Sequence, residues 1–166
     1  MGHAIISYAI LKVHYESVPV YFGYYAPGNV RKERLQLYRT GRTNANDGGV
    51  DFVMRPAGRF FQVTESGDYD KYLLDMDKIQ HFPVTFVVKT RKTQDTVRQE
   101  LEEYILWRVG KNPSLYERYC EAIEEIITVN ELLFYLDEMG EEEIDRALRL
   151  IDIHYRLEMN IDGPIP

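Results

Sequence analysis

The order of hydrophobic and polar residues in the first half of the chain predicts helices and strands in alternation. Apolar positions recur at helical spacing in residues 4–16, and residues 18–25 are rich in valine and aromatic side chains, as strands are. Residues 30–39 fit either a short helix or an alternating strand. Residues 40–49 have the composition of a loop. We therefore expect a helix, a strand and one undecided short element before residue 50.

Two short apolar segments follow, and together they predict a β-hairpin. VDFVM (50–54) and RFFQVTE (59–65) are separated by four residues that include Pro56 and Gly58. Residues 69–80 then show a helical pattern, and residues 83–89 form a nearly continuous apolar strand. Because a helix connects the strand at 59–65 to the strand at 83–89, these two strands are expected to be parallel.

From residue 93 onward the pattern is helical throughout. The predicted helices cover 94–109, 114–127, 128–139 and 141–159, with Ser114 and Thr128 as caps. We expect two parts: an α/β core in residues 1–92 with a mixed sheet, and a helical subdomain or extension in residues 93–166.

Charge and composition narrow the function classes. The 166 residues carry a net charge of −7, yet residues 1–92 hold 13 Lys and Arg against 9 Asp and Glu, so the acidity belongs to residues 93–166. No apolar run is long enough to span a membrane, and no leader pattern is present. Cys120 is the only cysteine. These features predict a cytoplasmic protein that makes no use of a membrane, with a basic half that is able to face DNA.

The residues of the hairpin predict a divalent-metal site. Asp51 lies in the first strand and Gln62 in the second, and a tight hairpin brings them close together across the ladder. A carboxylate and an amide carbonyl are hard oxygen ligands, which suit Mg²⁺. An ion held there can activate water and neutralise charge on a phosphate.

The same residues carry a resemblance to a nuclease family. The element order and the spacing of Asp51, Gln62 and Val63 resemble the PD-(D/E)XK nucleases, whose core is αβββαβ. The string RTNANDGGVDFVMRPAGRFFQVTE is similar to type II restriction endonucleases of the ApaLI kind. The resemblance implies a restriction-endonuclease-like fold and a Mg²⁺-dependent enzyme that cuts double-stranded DNA. It also implies a homodimer, since such enzymes read symmetric sites.

The sequence departs from the family pattern at one position. Thr64 stands where the family has a lysine that stabilises developing negative charge. Three readings stay open. Lys71 or Lys89 replaces that lysine, Glu65 acts through a one-residue slip of the strand, or the domain binds DNA without cutting it.

Basic and amide residues before the hairpin are candidate DNA contacts. Arg39, Arg42, Asn44 and Asn46 are of the types that contact guanine and adenine edges. A third hypothesis from another class is an interaction protein that works through its acidic C-terminal helices. It predicts neither metal binding nor salt-dependent affinity for DNA.

Overall fold

A computed structural model of the chain describes residues 1–41, 50–65 and 67–161. Its helices are α1 (Gly2–Glu16), α2 (Tyr69–Lys78), α3 (Gln94–Val109), α4 (Pro113–Glu121), α5 (Val129–Asp137) and α6 (Glu141–Met159). Its strands are β1 (Pro19–Gly23), β2 (Val30–Arg34), β3 (Gln36–Arg39), β4 (Phe52–Arg55), β5 (Arg59–Glu65), β6 (Val84–Lys89) and β7 (Ile123–Ile127). The protein is therefore a mixed α/β structure.

A five-stranded mixed sheet in the order β3-β4-β5-β6-β7 forms the middle of the molecule. Strand β5 pairs antiparallel with β4 and parallel with β6, and β7 is parallel to β6. The predicted hairpin, the parallel pair and the mixed sheet are confirmed. Strands β1 and β2 form a separate two-stranded sheet.

Helices cover both faces of the central sheet, so the fold has three layers. On one face, α1 and α5 pack on Leu37, Phe52, Phe61 and Val87. On the other face, α2, α3 and α4 pack on β6 through side chains such as Val84, Phe86 and Val88. Adjacent residues of a strand point to opposite faces, so the strand pattern decides which layer each side chain meets.

Residues 30–39 and 114–127 differ from the helices considered for them. Residues 30–39 form β2 and β3, and the helical reading is wrong. Helix α4 ends at Glu121, and residues 123–127 form β7 at the edge of the sheet. The expectation that the chain is entirely helical after residue 93 is therefore wrong. Its second part contributes a strand to the sheet of the first part.

The helix caps show how the chain starts its C-terminal elements. Helix α4 begins at Pro113 with Asn112 as its cap, whose Oδ1 accepts the Leu115 N–H at 3.1 Å. Ser114 is thus inside the helix and the cap expected there is wrong. The Thr128 cap is confirmed: Glu131 reaches back to the Thr128 N–H at 2.7 Å, closing a capping box for α5. In the described part of the chain, no helix combines the length and apolarity that a membrane crossing requires.

Candidate functional site

Gln62 lies within β5, whereas Asp51 directly precedes β4, so the expectation that Asp51 lies inside the first strand of the hairpin is wrong. Phe52 pairs with Phe61, and both side chains lie in the core on the α1 side. Gln62, the neighbour of Phe61 in β5, therefore points to the opposite face, toward α2. Gln62 is opposite Phe86 in β6, which belongs to the core on that side. Asp51 contacts Phe61 and Val63, the residues on either side of Gln62 in β5, and the expectation that the two side chains share one ion stays a prediction.

The Asp51 carboxylate is held by the neighbouring strand. Its Oδ2 accepts a 2.7 Å hydrogen bond from the Val63 N–H, and its backbone N–H donates to the Phe61 carbonyl at 2.9 Å. The Thr40 N–H donates to the Asp51 carbonyl at 3.0 Å. Strand β5 and the residue after β3 therefore fix Asp51 at its backbone and at one carboxylate oxygen.

Gln62 is the more unusual residue. It is 7% exposed, and its Oε1 is buried without a hydrogen-bond partner among the described residues. A buried amide oxygen left unpaired costs roughly 1–3 kcal/mol. A cation bound there would offset that cost, and the donors are of the type that Mg²⁺ prefers.

These residues supply only part of a coordination shell. Within the described residues, no three His, Cys, Asp or Glu side chains come together in a way that could hold a metal. A Mg²⁺ ion at Asp51 and Gln62 would therefore take its other ligands from water and from phosphate oxygens of a substrate, as Mg²⁺ in proteins usually does.

Thr64 lies on the face of Gln62, two residues further along β5. It is 4% exposed and opposite Val88. Sequence reasoning misses its neighbour Tyr72, which reads only as an apolar position of a helix. Burial raises the pKa of Tyr72, Tyr69 adds to the rise, and a hydrogen bond with Thr64 opposes it. Thr64 therefore lies beside the neutral side chain of Tyr72. Strand β5 itself brings no cation to the face of Gln62.

The other candidates for the missing lysine lie elsewhere. Glu65 is three residues after Gln62 in β5, so the alternation of side chains places it on the opposite face. Its partner in the register is Lys89. The two side chains form an exposed ion pair at 3.4 Å. Lys89 therefore fails the requirement that it share the face of Gln62. Lys71 is exposed in the first turn of α2, where Asp68 caps the helix.

Arg39 packs inside the molecule instead of pointing to solvent. Its guanidinium lies 3.4 Å from the Glu158 carboxylate of α6, with side chains 10% and 8% exposed. It also lies 3.3 Å from Nδ1 of His154. An arginine only donates, so Nδ1 accepts and the imidazole is neutral. Burial, reinforced by Arg39, lowers the pKa of His154 accordingly. Arg39 therefore joins β3 to α6 and is not placed as a DNA contact.

The remaining predicted DNA contacts are outside the described residues. Arg42, Asn44 and Asn46 belong to 42–49, directly before Val50. Their assignment stays a prediction.

Comparison of the chain with protein-family models, with characterised proteins and with solved structures returned no match.

Replacing Arg39 by alanine should affect stability and not DNA affinity. The substitution leaves the buried Glu158 carboxylate without its partner, which should lower the free energy of unfolding by about 3 kcal/mol. Urea denaturation measures this loss. The double variant Arg39→Met, Glu158→Leu removes both charges and should recover most of it. Normal stability with weakened DNA binding in Arg39→Ala would instead make Arg39 a DNA contact.

Replacing Gln62 by methionine should stabilise the fold. The substitution keeps the length of the side chain and removes the unpaired oxygen, so the free energy of unfolding should rise by about 1 kcal/mol. Gln99→Met is the matched control at an exposed helix position, where a change within about 0.5 kcal/mol is expected. A clear loss of stability in Gln62→Met would mean that the amide is satisfied in the folded protein.

Proposed function

We propose that the protein is a metal-dependent endodeoxyribonuclease that hydrolyses phosphodiester bonds of double-stranded DNA, as a type II restriction endonuclease does. The observation that carries this proposal is the pair of oxygen donors at the β4–β5 hairpin, one from Asp51 directly before β4 and one from Gln62 in β5. Asp51 is fixed by the Val63 N–H, and Gln62 offers a buried oxygen with no partner among the described residues. Burial of such an atom is costly, and a metal site is a physical reason to keep it.

The order of the elements supports the same reading. When β1 and β2 are set aside, the chain runs α1, β3, β4, β5, α2, β6, which is the αβββαβ order of the family that the sequence resembles. The resemblance assigns the family's metal ligands to Asp51 and Gln62. The fold alone does not assign an activity, so the argument depends on the site.

Each residue of the site would have a definite task. Mg²⁺, when bound, supplies an activated water and positive charge for the phosphate. The Asp51 carboxylate and the Oε1 of Gln62 would hold it, while the Val63 N–H keeps Asp51 oriented. Thr64 can donate or accept a hydrogen bond but cannot neutralise charge. A cation from elsewhere, for which Lys71 is our candidate, would complete the site in an active enzyme.

A second candidate function has its own observation in favour. Thr64 is buried beside Tyr72, and Lys89 is on the other face of the sheet. A site without its lysine fits a module that has the nuclease fold and binds DNA without cutting it. The homodimer expected for a restriction enzyme stays a prediction under either function.

Asp51→Asn should abolish Mg²⁺-dependent cleavage of plasmid DNA and leave the fold intact. Asparagine keeps an oxygen that accepts from Val63 but removes the charge that binds the ion, so a loss of at least about 100-fold is expected. Asp95→Asn, at an exposed position of α3, is the matched control and should cleave normally. Calorimetry should show weaker Mg²⁺ binding in Asp51→Asn alone. Equal metal binding by both variants would place the ion elsewhere.

Thr64→Lys separates the two candidate functions. In an active enzyme the substitution forces a longer, charged side chain into a buried position, and a displacement of about 1 Å at the site should slow cleavage by about 100-fold. In a module that only binds DNA, the same lysine would restore the missing charge. Plasmid nicking that appears in Thr64→Lys and is absent from the natural protein would therefore favour the second function.

A further inference from the structure

The two-stranded ribbon formed by β1, residues 24–29 and β2 stands apart from the central sheet. We call residues 19–34 the ribbon. Among the described residues its strands pair only with each other, from Pro19 with Arg34 to Gly23 with Val30. An isolated two-stranded hairpin is marginally stable in water. Val20 packs one face of the ribbon on the core on the α1 side, and the other face is left exposed and available to a partner.

The ribbon has one exposed face that carries positive charge without a carboxylate. Alternate residues of each strand share this face, and all are exposed: Pro19, Tyr21, Gly23, Val30, Lys32 and Arg34. The only carboxylate of the ribbon, Glu33, lies on the other face beside Val20 and is half-buried. Arg31 is also exposed, on the same face as Glu33, because it pairs with Phe22. In the described part of the chain, neither Arg31 nor Lys32 forms an ion pair.

The tip of the ribbon holds a tyrosine in a costly position. Tyr25 is fully exposed, and its backbone is left-handed with φ of 69°. Hydrogen bonds within the tip fix this shape: the Ala26 N–H donates to the Tyr24 carbonyl at 2.8 Å, and the Asn29 N–H donates to the Ala26 carbonyl at 3.0 Å. A non-glycine residue in this conformation costs roughly 1–2 kcal/mol. A ring held wholly in solvent gives no packing energy to offset that cost.

The base of the ribbon is attached firmly to the edge of the central sheet. Leu35, the only residue between β2 and β3, is buried in the core on the α1 side. The Arg34 guanidinium donates to the Glu16 carbonyl at the end of α1. Strand β3 pairs with β4, the strand that follows Asp51. A partner bound by the ribbon is thereby positioned with respect to the hairpin that carries Asp51 and Gln62.

We infer that the ribbon is a DNA-binding arm that lies in the major groove of a duplex. This inference takes its partner, double-stranded DNA, from the proposed function. The major groove is about 12 Å wide and admits a two-stranded ribbon. Arg31 and Lys32 contact phosphates, and Tyr24 and Tyr25 of the tip reach the groove floor. Lys32 on the outer face and Arg31 on the other face are both exposed, and their charge is complementary to a phosphate backbone.

The experiment measures duplex binding by fluorescence anisotropy without divalent metal, so that cleavage plays no part. The variant Arg31→Ala, Lys32→Ala removes two phosphate contacts. Its affinity should fall about 10-fold near 0.1 M salt for all sequences, and the slope of log K against log salt should decrease by about 2. The control Lys111→Ala, Arg149→Ala removes equal charge from exposed positions outside the ribbon and should bind like the natural protein.

A second variant, Tyr25→Gly, tests the ribbon by a substitution that should leave the protein folded. Glycine adopts the left-handed conformation without strain, so the stability of the fold should not fall. Its affinity for the duplex should nevertheless decrease several-fold, because the ring is gone. Thermal denaturation and anisotropy on the same sample measure both quantities.

Several outcomes would overturn the inference. Natural affinity and salt dependence in both ribbon variants would show that DNA binds elsewhere. Binding of anionic phosphatidylserine vesicles in place of the duplex would make the ribbon a membrane contact. The proposed function is tested separately. If the natural protein binds duplex through the ribbon but cuts no plasmid with any divalent metal, the inference about the ribbon holds and the proposed nuclease activity is wrong.

Discussion

Strand β5 has neighbours on both edges, and its alternation of side chains determines what each face of the molecule contains. Phe61 goes to the core beneath α1, while Gln62 and Thr64 go to the side of α2. A shift of one residue in its pairing would exchange these sets and bury Glu65 in place of Thr64. The register is therefore fixed by the packing of Phe61 on one side and of Phe86 and Val88 on the other. The candidate site depends on the hydrophobic core for its orientation.

This dependence explains which features the sequence could predict. The hairpin and the βαβ unit follow from local patterns. The short segments that contain Asp51 and Gln62 and the apolar β6 each have the residue pattern of a strand, whichever elements surround them. The face of Gln62 follows from the same alternation, whereas Asp51 is positioned by its hydrogen bonds with Phe61 and Val63. The orphaned Oε1 of Gln62 could not be foreseen, since burial of one atom depends on side chains brought in from distant parts of the chain.

The failures have tertiary causes. In residues 123–127, Ile123, Ile126 and Ile127 have helical spacing, yet the segment is a strand with an irregular register against β6. Its Glu125 carboxylate lies 2.5 Å from the Arg59 guanidinium at the start of β5. Pairing with β6 and the charge of Arg59 thus outweigh the local helical preference, as context often does for short apolar segments. The expectation that Arg39 faces DNA has a similar cause, since no pattern within β3 reveals that α6 brings Glu158 beside it.

The distribution of charge becomes intelligible once these partners are known. Several cations of the basic half form ion pairs within the molecule: Arg39 with Glu158, Arg59 with Glu125 and Lys92 with Glu100. In each pair the carboxylate comes from the acidic half, so part of the charge asymmetry between the halves neutralises itself on folding. Other cations of the basic half are exposed and form no ion pair in the described residues: Arg31, Lys32, Arg55, Lys71 and Arg91. Positive charge that folding leaves uncompensated is the charge available to a phosphate backbone, and Arg31 and Lys32 carry part of it on the ribbon, which Leu35 joins to the central sheet.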